Sequence, residues 1–196
     1  MRMAFLYSLG SAFFFVQPCG AGSATWKSAP ASNDWNTAAN WRPRTVPNGP
    51  ADIARFRASS ITALSISAEV EVNEMIFDPG ASQFQIAALP GVVLKMGGVG
   101  VTNNSGVSQE YSAVTTADSN SVGRIVFTGS ASAGTHSRFS VGAGLRQSAA
   151  GASVEFEDET SAGSANFVVA GGTAPFPMAD SFLSAVILRL RRQSSG

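Results

Sequence analysis

One phrase occurs twice in the sequence, and it restricts the possible folds more than any other feature. The segment FTGSASAGTHSRF (127–139) is followed by FEDETSAGSANF (156–167), and both contain SAG at the centre. Offsets of 29 and then 28 residues align apolar positions: Ile125 with Val154, Phe127 with Phe156, Phe139 with Phe167, and Val141 with Val169. A repeat of this length indicates stacked supersecondary units, each burying its apolar face against the next.

Short β-like runs surround the repeat, and the chain as a whole is predicted to be mostly β. Each run is rich in Val, Ile or Phe and is bounded by Gly, Asn, Ser or Pro. The runs are DIARF, SITALSI, EVEVNEMIF, FQIAAL, VVLKM, GRIVF, SVEFE and ANFVVA. Val70 and Val72 alternate with Glu69 and Glu71, which is the period of a half-buried strand. Only residues 181–192 have a helical pattern.

Short strands with tight corners and no intervening helix predict a parallel β-solenoid. At about 25 residues per turn, residues 50–175 would form about five turns. Gly134 and Gly163 would occupy corners with positive φ, where a Cβ is unfavourable. A looser copy of the phrase, MIFDPGASQFQI, places Phe77 50 residues before Phe127, which corresponds to about two turns. The alternative is a β-sandwich containing two similar hairpins.

The N-terminal segment, residues 1–24, has the features of a secretory signal peptide. Arg2 supplies a positive start, residues 4–16 an apolar core, and Gly22-Ser23-Ala24 a small-residue cleavage site. This core is too short to span a bilayer as a helix, which needs about 20 residues. The only cysteine, Cys19, lies in this segment, so a chain cleaved after Ala24 would have no disulfide or thiolate site. The alternative is a buried N-terminal helix.

Low charge limits the partners that the chain is expected to have. Charged residues make up 13% of the chain, against about 25% in average globular proteins, and the formal net charge is zero. No basic surface for nucleic acid is therefore expected. We also expect a monomer with no stable membrane span. Charge is concentrated only in EFEDE (155–159) and in the arginines of residues 189–192.

Residues 25–50 form a segment rich in Trp, Asn and Pro, whose turn-forming residues argue against long regular elements. Trp26, Trp35 and Trp41 are explained by a cap that covers the apolar end of the first turn. The alternative is a carbohydrate-binding module in which Trp35 and Trp41 contact a surface polysaccharide or a cell-surface glycan, because sugars stack on aromatic faces. Buried indoles would favour the cap, and exposed indoles would favour the glycan contact.

Few residues suggest catalysis or metal binding. His136 is the only histidine and no G-x-S-x-G motif occurs, so His136 is predicted to be a surface residue on a turn. Glu155, Glu157 and Glu159 alternate along one strand face and could hold Ca²⁺. The equivalent residues one turn earlier carry no acid ladder, since Glu155 aligns with Val126, so a solvated face is predicted instead.

A polysaccharide lyase-like enzyme is a further alternative, because some β-helix proteins use acids to hold Ca²⁺ and a Lys or Arg as the base. The residues that could serve are Lys95, Asp118, Arg124, Arg138 and Arg146. The acids are too few and too scattered to converge on one site. The prediction is therefore that the chain is not an enzyme and uses no cofactor or metal.

Three segments in this order resemble bacterial autotransporter-associated β-strand repeat proteins: WKSAPASNDWNTAANWRPRTVPNGPADIARF, EVEVNEMIFDPGASQFQI and GGVGVTNNSGVSQEY. The resemblance covers about residues 24–173. It implies export, a right-handed parallel β-helix over residues 51–173, and a cell-surface or extracellular location. It implies no common catalytic residues. The expected function is a non-enzymatic structural or adhesin-like module.

The chain departs from the family pattern after Thr173. Residues 174–196 form an atypical tail in place of further turns. One interpretation is a short C-terminal helix at 181–192 that caps the last turn. The other is the end of a truncated passenger.

Overall fold

The computed structural model describes residues 22–116, 121–143 and 151–170. These residues form twelve strands and a 3-10 helix at Ala38–Asn40. The strands are β1 (Ala24–Trp26), β2 (Trp41–Arg42), β3 (Gly49–Phe56), β4 (Ala63–Ile66), β5 (Val70–Phe77), β6 (Gln85–Ala88), β7 (Val93–Asn103), β8 (Gln109–Ala113), β9 (Arg124–Phe127), β10 (Ser137–Val141), β11 (Ser153–Phe156) and β12 (Asn166–Val169).

The strands build two sheets that run along the same coil. One sheet has the order β11-β9-β7-β5-β3-β1-β2 and the other the order β12-β10-β8-β6-β4. From β3 onward, successive strands alternate between the sheets, and each pairs in parallel with its counterpart in the neighbouring turn. The result is a parallel β-solenoid of five two-stranded turns, as predicted. The β-sandwich alternative is wrong, because its hairpins would pair antiparallel.

The doubled phrase corresponds to the last two of these turns. All four predicted alignments are strand partners: Ile125 with Val154, Phe127 with Phe156, Phe139 with Phe167, and Val141 with Val169. The SAG segments also meet, since Ser132 bridges to Ser161. Gly134 (φ 73°) and Gly163 (φ 57°) have the predicted positive φ. The repeat therefore records the register of one turn on the next.

Aromatic rings stack between turns inside the coil. Phe127 and Phe156 lie 4.7 Å apart with an angle of 3° between their planes. In the other sheet, Phe139 stacks on Tyr111 at 4.8 Å and on Phe167 at 5.2 Å. Such pairs contribute about 0.5–1.5 kcal/mol beyond the burial of their area. Each turn thus forms part of its neighbour's core.

Tyr111 carries a buried hydroxyl for which the described residues provide no hydrogen-bond partner. Burial raises the pKa of Tyr111. We expect Tyr111→Phe to raise the free energy of unfolding at neutral pH by about 1 kcal/mol, because it removes an unsatisfied buried polar group. Chemical denaturation checks this, and a loss of stability would contradict it.

The same hydroxyl predicts a pH dependence. A pKa raised on folding means that the native state favours the neutral phenol. Below the unfolded pKa of about 10, ionisation of Tyr111 therefore does not reduce the free energy of unfolding. This free energy falls as the pH rises above that value, by at most about 1.4 kcal/mol per pH unit. Unfolding midpoints measured from pH 8 to about 11 should decline less in Tyr111→Phe than in the wild type; parallel curves would contradict the prediction.

Several predicted features fall on residues that are not described. Most of the predicted signal peptide, the tail at 174–196 with its helix at 181–192, Asp118 and Arg146 lie outside the described ranges. Ala24, the predicted cleavage position, is the first residue of β1 and pairs with Ala54. Within the described ranges, no helix is long and apolar enough to cross a membrane.

Candidate functional site

The three tryptophans form a buried cluster at the start of the coil. Trp41 lies 5.1 Å from Trp26 and 4.8 Å from Trp35, measured between ring centroids. Trp35 and Trp41 each lie 5.8 Å from Phe56 of the first turn. Each indole N–H donates to a backbone carbonyl at 2.7–3.1 Å. The cluster therefore covers the apolar end of the first turn.

This burial favours the cap over a glycan contact for two of the tryptophans. Trp35 and Trp41 are both 0% exposed. A glycan stacks on an open aromatic face, and neither ring offers one. We therefore assign both residues to the cap.

The burial also predicts the intrinsic fluorescence, because all three tryptophans of the chain belong to the cluster. We expect blue-shifted native emission that iodide quenches poorly, and a red shift on unfolding. Free tryptophan under the same conditions is the control. Native emission that matches the control would contradict the burial.

A buried asparagine holds the loop that carries Trp35. Asn40 is 0% exposed, and its Nδ2 donates to Ser32 Oγ at 2.9 Å and to the Asp34 carbonyl at 2.6 Å. Its Oδ1 accepts from the Ser32 amide at 2.9 Å. A satisfied buried amide fixes the loop geometry, because each lost bond would leave a desolvated polar group. The presence of Asn40 in this segment thus has a structural cause.

A groove of about 510 Å³ lies on the outer side of the cap. Its lining residues are Thr25, Trp26, Lys27, Ser28, Ala29, Arg42, Arg57 and Ala58. We call it the cap groove. Three of the lining side chains are cationic, and they come from segments that are distant in sequence. The cap groove therefore exists only because β1 pairs with both β2 and β3.

The cations of the cap groove differ in how they are held. Lys27 Nζ donates to the Ala39 carbonyl at 2.5 Å. Arg57 Nε donates to Asp78 Oδ2 at 2.8 Å. Arg42 is exposed, and its guanidinium bonds to no other residue of the described ranges. Donors for an anion therefore remain at Arg42, at the terminal nitrogens of Arg57 and at the ammonium of Lys27, which has three N–H groups and donates one of them to a carbonyl.

His136 lies where the sequence predicted, on an exposed turn. Its φ is +51°, in the left-handed region. Its carbonyl accepts from the Gln109 amide at 2.9 Å and from Asn103 Nδ2 at 3.1 Å. The backbone of His136 thus joins two turns, and the side chain faces solvent.

Two acidic side chains of residues 155–159, Glu155 and Asp158, accept hydrogen bonds from the neighbouring turn. Arg124 donates from Nε to Glu155 Oε1 at 3.0 Å and from a terminal nitrogen to Oε2 at 2.5 Å. The hydrogen bond to Glu155 raises the pKa of Arg124. Asp158 Oδ2 accepts from the Gly129 amide at 2.9 Å. No group of three metal-binding side chains is found among the described residues.

The residues considered for lyase chemistry are not assembled into one site. Lys95 pairs with Glu71 at 3.1 Å, and Arg124 pairs with Glu155, both on the seven-stranded sheet. Arg138 belongs to β10 of the other sheet. These cations therefore have structural partners or stand apart.

Comparison of the chain with protein-family models, with curated proteins and with solved structures finds no match. The proposed function therefore rests on the fold and on the surface of the cap.

Proposed function

We propose that the protein is an exported, non-enzymatic structural module of adhesin-like type, related to the autotransporter-associated β-strand repeat proteins that its sequence resembles. The observation that carries the proposal is the continuous five-turn solenoid, with its first turn covered by the tryptophan cluster. Solenoids present extended surfaces on a regular backbone, which suits contact with large partners.

The engagement of charged side chains supports the non-enzymatic part of the proposal. Glu71, Glu155 and Asp78 are all bonded to basic residues of adjacent strands or turns. These pairs stabilise the stacking of turns modestly, because their basic partners are partly exposed. Incubation of the purified protein with acidic polysaccharides should release no unsaturated sugar products, and their appearance would overturn this part.

Export is tested by cell fractionation of a bacterium that expresses the full chain. We expect the wild type in the surface or extracellular fraction. Phe14→Arg/Phe15→Arg should stay in the cytoplasm, because charges in the apolar core of a signal peptide prevent its recognition. Gln17→Asn, outside that core, is the matched control. A wild-type protein found in the cytoplasm would contradict the proposal.

A further inference from the structure

We propose that the cap groove binds an acidic polysaccharide, with carboxylate or sulfate groups placed against Lys27, Arg42 and Arg57. The inference rests on the proposed function and names a ligand class for it. A volume of about 510 Å³ lies within the range of sites that enclose small ligands. The groove can therefore hold a short segment of a sugar chain rather than a single ion.

Strand pairing brings the cations together. Thr25 pairs with Arg42 of β2 on one side and with Arg55 of β3 on the other. Paired strands lie about 4.8 Å apart, so these side chains form one short row. Lys27 and Arg57 follow the buried residues Trp26 and Phe56. Since Lys27 is partly exposed and Arg57 exposed, both lie on the outward side of the chain, as Thr25 and Arg55 do. Lys27, Arg42, Arg55 and Arg57 therefore face solvent together, and we call these four cations the array.

The array keeps an excess of positive charge. Among the described residues, Asp78 is the carboxylate that bonds to these cations. It accepts from Arg55 at 2.6 Å and from Arg57 at 2.8 Å. One carboxylate against Lys27, Arg42, Arg55 and Arg57 leaves most of the charge uncompensated. Charged donors bind carboxylates and sulfates in short, strong hydrogen bonds. An anionic ligand would supply the missing acceptors.

The rest of the lining favours a sugar chain over other polyanions. Thr25 and Ser28 carry hydroxyls, and Ala29 and Ala58 add small side chains to the lining. A nucleic acid needs a broad basic surface to neutralise many phosphates, whereas this chain has a net charge of zero. The compact array fits a few anionic groups separated by hydroxyl-rich rings.

The test is calorimetric titration of the full chain with uronate oligosaccharides, sulfated and unsulfated, of matched length. A neutral oligosaccharide of that length is the ligand control. We expect binding that weakens with salt and that falls at least about tenfold in Arg42→Gln/Arg57→Gln, since each loses a charged hydrogen bond. The sulfated and unsulfated arms identify which anionic group is bound.

Lys95→Gln/Arg138→Gln is the matched control variant. It also removes two cations, of which Lys95 is ion-paired, from positions outside the cap groove, and it should bind like the wild type. An equal loss in both variants, no binding of either acidic oligosaccharide, or tighter binding of duplex DNA or anionic vesicles would overturn the inference. Fractionation tests export separately: an exported protein that binds no acidic oligosaccharide refutes this inference alone.

Discussion

Gly100→Ala is expected to destabilise the protein by about 3–5 kcal/mol, through backbone strain and overpacking together. Gly100 has φ +90°, and a Cβ there would overlap the Ser132 carbonyl oxygen and lie 2.6 Å from the Ser132 amide nitrogen. Ser132 belongs to the next turn, and its carbonyl accepts from the Val101 amide at 2.8 Å. The methyl group would therefore force two turns apart.

Gly106→Ala is the matched control for this experiment. Gly106 has a similar φ of +83°, but a Cβ there would meet nothing within 4 Å. Only the left-handed strain of about 1–2 kcal/mol should appear. Chemical denaturation of both variants separates strain from the clash, and equal losses would show that the contact between turns contributes nothing.

Trp41→Ala is expected to cost about 3–5 kcal/mol, the range for truncating a large buried aromatic residue. Trp41 contacts both other tryptophans and Phe56, so its loss leaves a cavity at the centre of the cap. The emission of Trp26 and Trp35 should shift to the red. Trp41→Phe should lose less stability, because it keeps a ring in the cavity.

An exposed position supplies the second control for the cap. Val99 is 50% exposed, and Val99→Ala should change the free energy of unfolding by no more than about 0.5 kcal/mol. If Trp41→Ala unfolds at the same denaturant concentration as Val99→Ala, the tryptophan cluster does not stabilise the coil.

The strands with strong β-branched or aromatic runs were predictable from the sequence, and the others were not. β7 continues through GGVGVTN to Asn103. The glycines of this segment interrupt the hydrophobic pattern by which a strand is recognised in the sequence. β8 was missed because Gln109 is its first buried residue, and its Oε1 accepts from the Phe84 amide at 2.8 Å. Side-chain hydrogen bonds of this kind replace apolar contacts and leave no hydrophobic pattern.

Register was predictable only where the sequence visibly repeats. The repeat aligns the last two turns, and every aligned pair was correct. Phe77 lies two turns before Phe127, yet it pairs with Asn103, and Phe127 pairs with Met96. The pairing of β5 with β7 shifts in register between Val72 and Glu74. This shift separates the stack of residues that contains Phe77 from the stack that contains Phe127. Such irregularities arise from pairing across turns, which the spacing of phenylalanines does not reveal.

The candidate site was predictable in part. The burial of the tryptophans followed from their place before the first turn. The cap groove did not, because Lys27, Arg42 and Arg57 are far apart in sequence and meet through the pairing of β1 with β2 and β3. A sequence search for clustered charge finds the acidic segment and the arginine-rich end instead.

Parallel pairing of each strand with its counterpart one turn away makes length an independently adjustable property. Duplicating one turn would add about 4.8 Å to the coil while leaving its cross-section and its capped end unchanged. Each residue of the copy would pair with the same residue of its template, as the aligned apolar residues of the last two turns pair. Gene duplication can therefore set how far such a rod reaches, without redesigning the surface at its tip.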